Sequence, residues 1–252
     1  MSATKTQAFI LKTQDYRDTS ILGDFYTRDF GKIKGIVKGV RDARGRFGST
    51  LEPFSLNEIL FYRRKRGGDL HQVTQFEVLE FFPALREDLE RLGTASYFTE
   101  LLDELVEAVE ANTAIFRLLQ DALSFLSGGA SPKRTARIFE VKLLELLGLM
   151  PEIRSCVVCR SGDVEAASFS VPMGGIVCRA CRETKEAPGV PVSRGALNFL
   201  EHARRKAFEN LRPVKVSREV GEDLEKMLRR FVDFHLPNKL KSVTFLEKME
   251  LV

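Results

Sequence analysis

The sequence predicts an α+β multidomain chain: an N-terminal five-stranded barrel of the OB-fold kind, followed by an α-helical domain carrying an inserted four-cysteine zinc-binding segment. Three observations carry this. Five short runs of strand character fall within the first 80 of the 252 residues. From Ala84 onward the apolar spacing becomes helical. All four cysteines belong to one paired constellation between residues 156 and 181. The expected divisions are 1–82 for the barrel and 83–252 for the helical domain, with the cysteine segment within 151–192.

The barrel strands come first. Residues 5–13 (KTQAFILKT) and 20–27 (SILGDFYT) combine β-branched and aromatic residues at short range. Arg28 to Gly31 reads as a turn. In the next run, 32–38 (KIKGIVK), charged and apolar residues largely alternate. Residues 41–50 (RDARGRFGST) have no period and read as an exposed loop. Two further strands, 54–63 and 69–80, flank a turn at 66–69. An OB-fold is the commonest five-stranded closed answer, and an SH3-like barrel fits almost as well.

The helices follow. Leu85, Leu89, Leu92, Phe98, Leu101, Leu102 and Leu105 recur at helical spacing. Asn112 or Thr113 caps a second helix, running to about Leu126 and ended by Gly128-Gly129. Ser131-Pro132 opens a third, because proline lacks only a donor that a first turn leaves idle, and Gly148 stops it. Residues 151–192 hold four of the nine prolines and no helical period. Two more helices are expected, near 193–208 and 217–236.

Composition narrows the function. With 44% hydrophobic and 29% charged residues, the chain is neither disordered nor collagen-like. No run approaches the roughly 18–20 apolar residues of a membrane span. The opening MSATKTQAFILK has no signal-peptide core, so the expectation is a cytoplasmic protein. Net charge is +4. Residues 1–80 carry 14 Lys and Arg against 10 Asp and Glu, whereas 81–252 carry 25 of each, so the whole excess sits on the barrel.

Cys156-x2-Cys159 and Cys178-x2-Cys181 match the two-knuckle zinc pattern. Each C-x-x-C turn aims two thiolates at one centre, and two turns complete a tetrahedron. Four thiolates leave no position for water or substrate, so the site is structural and the cofactor is Zn²⁺. A redox pair needs a thioredoxin-like context that is missing, and structural disulfides suit secreted chains.

Two basic groups fall on the barrel. Lys32, Lys34, Lys38, Arg41, Arg44 and Arg46 lie within 15 residues, and Arg63, Arg64, Lys65 and Arg66 end a strand. Such groups can line a groove and neutralise phosphates. Phe25, Tyr26, Phe30, Phe47, Phe61 and Tyr62 lie nearby in sequence. Basic groove plus stacking rings is how single strands are held, although Phe25 and Phe61 suit a core better, since aromatics dominate small cores. A third group, Lys133, Arg134 and Arg137, starts the third helix beside Phe139 and Leu143 and suits an acidic, aromatic-ended peptide.

Enzyme signatures are missing. The sequence has no phosphate-binding G-x-x-x-x-G-K motif and no G-x-S-x-G elbow. Its three histidines, His71, His202 and His235, stand far apart. Two other classes stay open: a zinc-dependent nucleic-acid enzyme, and an adaptor whose basic face meets an acidic protein.

Certain segments resemble the bacterial DNA repair RecO family. They are the KTQAFILK strand, the GKIKGIVKGVR run, the helix RIFEVKLLELLGLMPE leading into CVVC, the CRAC knuckle and the tail KLKSVTFL. The resemblance spans nearly the whole chain. It implies an OB-fold joined to a helical domain with a zinc-binding segment, and no bond-making or bond-breaking activity. It implies binding of single- and double-stranded DNA, annealing of complementary strands, and RecA loading with RecR onto strands coated by single-strand binding protein (SSB). Some members of the family contact the acidic SSB tail through the helical domain, for which Arg134 and Arg137 are expected here from their helix position. Cys156, Cys159, Cys178 and Cys181 carry over as metal ligands.

Overall fold

The computed structural model describes residues 3–40, 51–62, 70–107, 111–162, 165–184, 189–211 and 214–249. Of the expected DNA-contact residues, Arg41, Arg44, Arg46, Arg63, Arg64, Lys65 and Arg66 lie outside these, as does Phe47.

Five strands form a closed barrel: β1 (Ala3–Tyr16), β2 (Ser20–Thr27), β3 (Gly31–Val37), β4 (Leu56–Tyr62) and β5 (Leu70–Glu80). Their order is β1-β2-β3-β5-β4, with β4 closing on β1. Only the β3–β5 pairing is parallel. This is the expected OB-fold barrel. The alternation of period 2 works as predicted: Ala8, Ile10, Phe25, Ile33, Val37, Ile59, Phe61 and Val73 fill the interior. A bulge between Ile10 and Lys12 re-aims β1, so that Lys12 pairs with Asp24.

The helices are α1 (Leu89–Leu105), α2 (Thr113–Ser127), α3 (Pro132–Leu146), α4 (Arg179–Thr184), α5 (Arg194–Arg205), α6 (Arg218–His235) and α7 (Lys241–Lys248). Asn112 caps α2 as expected, its Oδ1 accepting from the amides of Ala114 and Ile115. Gly148, at φ 70°, follows α3, where Leu149 N–H returns to Leu144 O at 2.8 Å. The periodicity starts α1 too early. Pro83–Leu85 is a separate 3-10 turn, and Asp88 caps the true helix. The loop between them is fastened by Arg86. Its guanidinium lies 4.0 Å from the Phe81 ring centroid and donates to the carbonyls of Phe81 and Pro53, both at 2.7 Å.

By contacts the chain groups into two compact units. One unit is Met1–Gly129 with Leu240–Val252, and the other is Ala130–Lys239. The change of period at 83 marks the end of the barrel, and by contacts α1, α2 and α7 group with it. Helices α1 and α2 pack onto the barrel: Phe9 meets Phe116 with ring centroids 5.0 Å apart, and Tyr26 Oη donates to Asn112 O. Helix α7 returns from the C-terminal end to lie on α1.

The second unit packs α3 against α5 and α6, and carries a three-stranded sheet ordered β7-β6-β8. The strands are β6 (Ser168–Ser170), β7 (Gly175–Val177) and β8 (Val190–Pro191). Among the described residues, no helix is long and apolar enough to cross a membrane.

Candidate functional site

The four expected cysteines converge. Their sulfur atoms all lie within 4.8 Å of one another, and no disulfide joins them. The local fold explains the convergence. The first knuckle closes through Cys156 N–H to Ser161 O (2.9 Å) and Arg160 N–H to Cys156 O (2.8 Å), with Arg160 turning through φ 63°. The second follows β7, so Cys178 leaves the sheet directly into α4. The two are fastened side by side: Val157 N–H donates to Ile176 O, and Ile176 N–H to Glu152 O, both at 2.9 Å. Gly175 permits this approach, since a Cβ there would meet Glu152 O at 2.5 Å.

The donor set fits a tetrahedral ion. Metal–sulfur bonds of about 2.3 Å require S···S edges of about 3.8 Å, and Cys159 Sγ lies 3.7 Å from Cys178 Sγ. The electrostatics fit as well. Burial raises the Cys156 thiol, but amide donors from Cys159, Cys178 and Val158 outweigh it and bring the pKa to about 6. Burial and then the three neighbouring thiols push Cys181 to about 12. Thiolates crowded this closely oppose one another's ionisation until a cation sits among them. Cys156, Cys178 and Cys181 are buried and Cys159 is exposed. Val177, Val157 and Val158 pack around them.

On the barrel, Lys32, Lys34 and Lys38 meet different fates. Lys32 Nζ is 3.2 Å from the Asp103 carboxylate and donates to Asp103 O, which ties it to α1. Lys34 and Lys38 are exposed. Lys34 pairs across strands with Asp24, which pairs in turn with Lys12. The outer face of β1, β2 and β3 therefore carries a Lys12–Asp24–Lys34 row. Sequence reasoning missed Lys12 and Asp24, because the row exists only once the register is set. Burial, then Asp103, raises the Asp24 pKa, against Lys34, Lys12 and Lys32.

The rings correct the expected stacking platform. Phe25, Tyr26 and Phe61 are fully buried. Phe30 packs edge-on to Phe61 at 5.6 Å. In a barrel this small, most large rings are consumed by the interior.

On the second unit, Lys133, Arg134 and Arg137 line a groove of about 400 Å³ with Arg218, Phe199 and Leu224. Phe139 and Leu143 do not floor it. Both are 0% exposed, because that face of α3 is core. Arg137 is bound to Glu140, 2.9 Å away and completely buried. Arg134 donates to Val214 O at 3.2 Å, and its Nε has no hydrogen-bond partner among the described residues.

The family comparison divides the chain at the end of the barrel. The description "Recombination protein O N terminal" matches residues 1–82, and "Recombination protein O C terminal" matches residues 86–244. The chain belongs to the RecO family. Among RecO relatives, a DNA repair protein RecO of Syntrophus aciditrophicus is 32% identical over 98% of this chain and 96% of its own. The protein of that name in Pelotomaculum thermopropionicum is 34% identical over 98% and 95%. That in Desulforamulus reducens is 33% identical over 99% and 96%. A role in DNA repair follows for this RecO-family chain.

Proposed function

We propose that this chain is a non-catalytic recombination mediator that binds single- and double-stranded DNA through its barrel. It anneals complementary strands and, with RecR, promotes RecA loading on SSB-coated single strands. The observation that carries the reading is the family match over both halves of the chain. An OB-fold whose outer face keeps Lys12, Lys34 and Lys38 exposed supports it. Basic side chains screening two strands' phosphates let the strands approach and pair, which needs no nucleotide hydrolysis.

Cys156, Cys159, Cys178 and Cys181 would hold a structural zinc ion that fastens the two knuckles together. The groove at the start of α3 suits the SSB tail, because Lys133 and Arg134 stand beside Phe199 and Leu224; Glu222, paired to Arg218, and Glu225 also line it. Arg134 is the better placed of the two expected arginines, since Arg137 is committed to Glu140. The reading implies a cytoplasmic, nucleoid-associated protein.

Fluorescence anisotropy of labelled single-stranded DNA across a salt series tests this. Log K should fall with log salt by about 0.7 per phosphate neutralised. Replacing Arg41, Arg44 and Arg46 together with Ala should weaken binding and flatten that slope. An unchanged slope would remove those residues from the interface, and no binding at low salt would overturn the reading.

A further inference from the structure

The outer face of β1, β2 and β3 has one closed end and one open end. At the closed end, Tyr26 Oη is bonded to Asn112 O and Lys32 is bonded to Asp103, so α1 and α2 occupy it. The open end is set by the register. Ile21 pairs with Val37, and Tyr16 with Ser20, so the β1–β2 hairpin tip stands beside the point where Lys38 leaves β3.

That tip breaks local rules. Arg17 takes a left-handed φ of 55°, where Gly, Asn or Asp is the usual choice. It is exposed, along with Asp18 and Thr19. Among the described residues it makes no ion pair, and its guanidinium carbon lies 5.2 Å from the centroid of the Tyr16 ring. Tyr16 is only partly buried. With Tyr26 covered where it meets Asn112, Tyr16 is a ring that this face still offers. A cation–ring pair at an exposed turn with left-handed backbone is a reason to look for function.

We propose that the β1–β2 hairpin tip is a nucleic-acid contact in which the Tyr16 ring stacks on an unpaired base and Arg17 neutralises an adjacent phosphate. This rests on the DNA-binding reading above and gives it a direction. The strand crosses the face over Asp24 and Lys34 and leaves past Lys38 and the hairpin tip, away from Lys32. Because any base has a stacking face, the contact favours single strands without selecting sequence.

The chain contains no tryptophan, so Tyr16→Trp creates a single fluorescent reporter. Titration with oligo(dT) should quench it, saturating where anisotropy saturates. Tyr16→Ala should weaken single-strand binding about tenfold and leave the salt slope unchanged. Arg17→Ala should flatten the slope by about 0.7. Tyr16→Phe should bind as the parent does, and blunt duplex binding should be insensitive to Tyr16→Ala. If the parent binds oligo(dT) while the indole reporter stays unquenched and Tyr16→Ala keeps full affinity, the stacking contact is wrong and the DNA-binding reading stands. If the parent binds no DNA, both fall.

Discussion

Replacing Glu100 with Ala tests how the C-terminal helix is held. Helix α7 has eight residues, too few for a stable isolated helix. Its N-cap, Leu240, offers no side-chain bond. The cap comes instead from α1: the Glu100 carboxylate accepts from Lys241 N–H (2.8 Å), Ser242 N–H (2.8 Å) and Ser242 Oγ–H (2.6 Å). A lost N-cap costs about 0.5–2 kcal/mol. Losing a negative charge at a helix N-terminus adds about 0.3–1 kcal/mol. Ser242 is 7% exposed, so part of its polar surface loses its partner without gaining water. The expected total is about 2–3 kcal/mol, or roughly 5–10 °C in melting temperature for a chain of this size. Glu100→Gln, which keeps one acceptor oxygen, should lose about half as much. Hydrogen exchange localises the effect: amides 241–249 should exchange faster, and those of the barrel interior much less so. Unchanged melting and unchanged protection of α7 in Glu100→Ala would refute the capping argument.

Four further substitutions test the geometry. Cys178→Ser should abolish stoichiometric zinc, read by elemental analysis, and lower the melting temperature; unaltered metal content would contradict the four-thiolate site. Asp24→Asn should strengthen single-strand binding by removing the one negative charge from the Lys12–Asp24–Lys34 row. Because the folded-state pKa of Asp24 is raised, its charge opposes folding above that pKa and the penalty disappears as pH falls through it. The substitution should therefore stabilise the protein at neutral pH and do nothing at acidic pH, as urea titrations at the two pH values would record. Arg137→Ala, which strips the cation from a completely buried Glu140, should destabilise by about 3–5 kcal/mol. Arg134→Ala should instead weaken binding of an acidic tail peptide with little change in melting; the opposite pattern would reverse the two roles.

The local chemistry explains why some features were legible and others were not. A C-x-x-C pair commits two thiolates to one centre whatever surrounds it, so the candidate metal ligands could be read directly from spacing. Proline after serine, asparagine before a helical period and glycine after one act within a single turn. Asn112 and Gly148 accordingly mark helix ends where expected. The α7 helix had no such signal, because its cap is supplied by a residue 141 positions away.

The sequence by itself determined the five strands, the main helices, the thiolate cluster and the surplus of positive charge on the barrel. Each depends on neighbours in the chain or on composition. Only the tertiary structure decided which cations and rings remain available. Lys32 and Arg137 look free in sequence, yet Asp103 and Glu140 hold them. Phe25, Tyr26 and Phe61 look like a stacking surface, yet closure of the barrel buries Phe25 and Phe61, the contact with Asn112 covers Tyr26, and Tyr16 stays partly exposed at a hairpin tip. Pairing and burial are properties of distant segments brought together, and strand register and helix docking fix them only after the chain has folded.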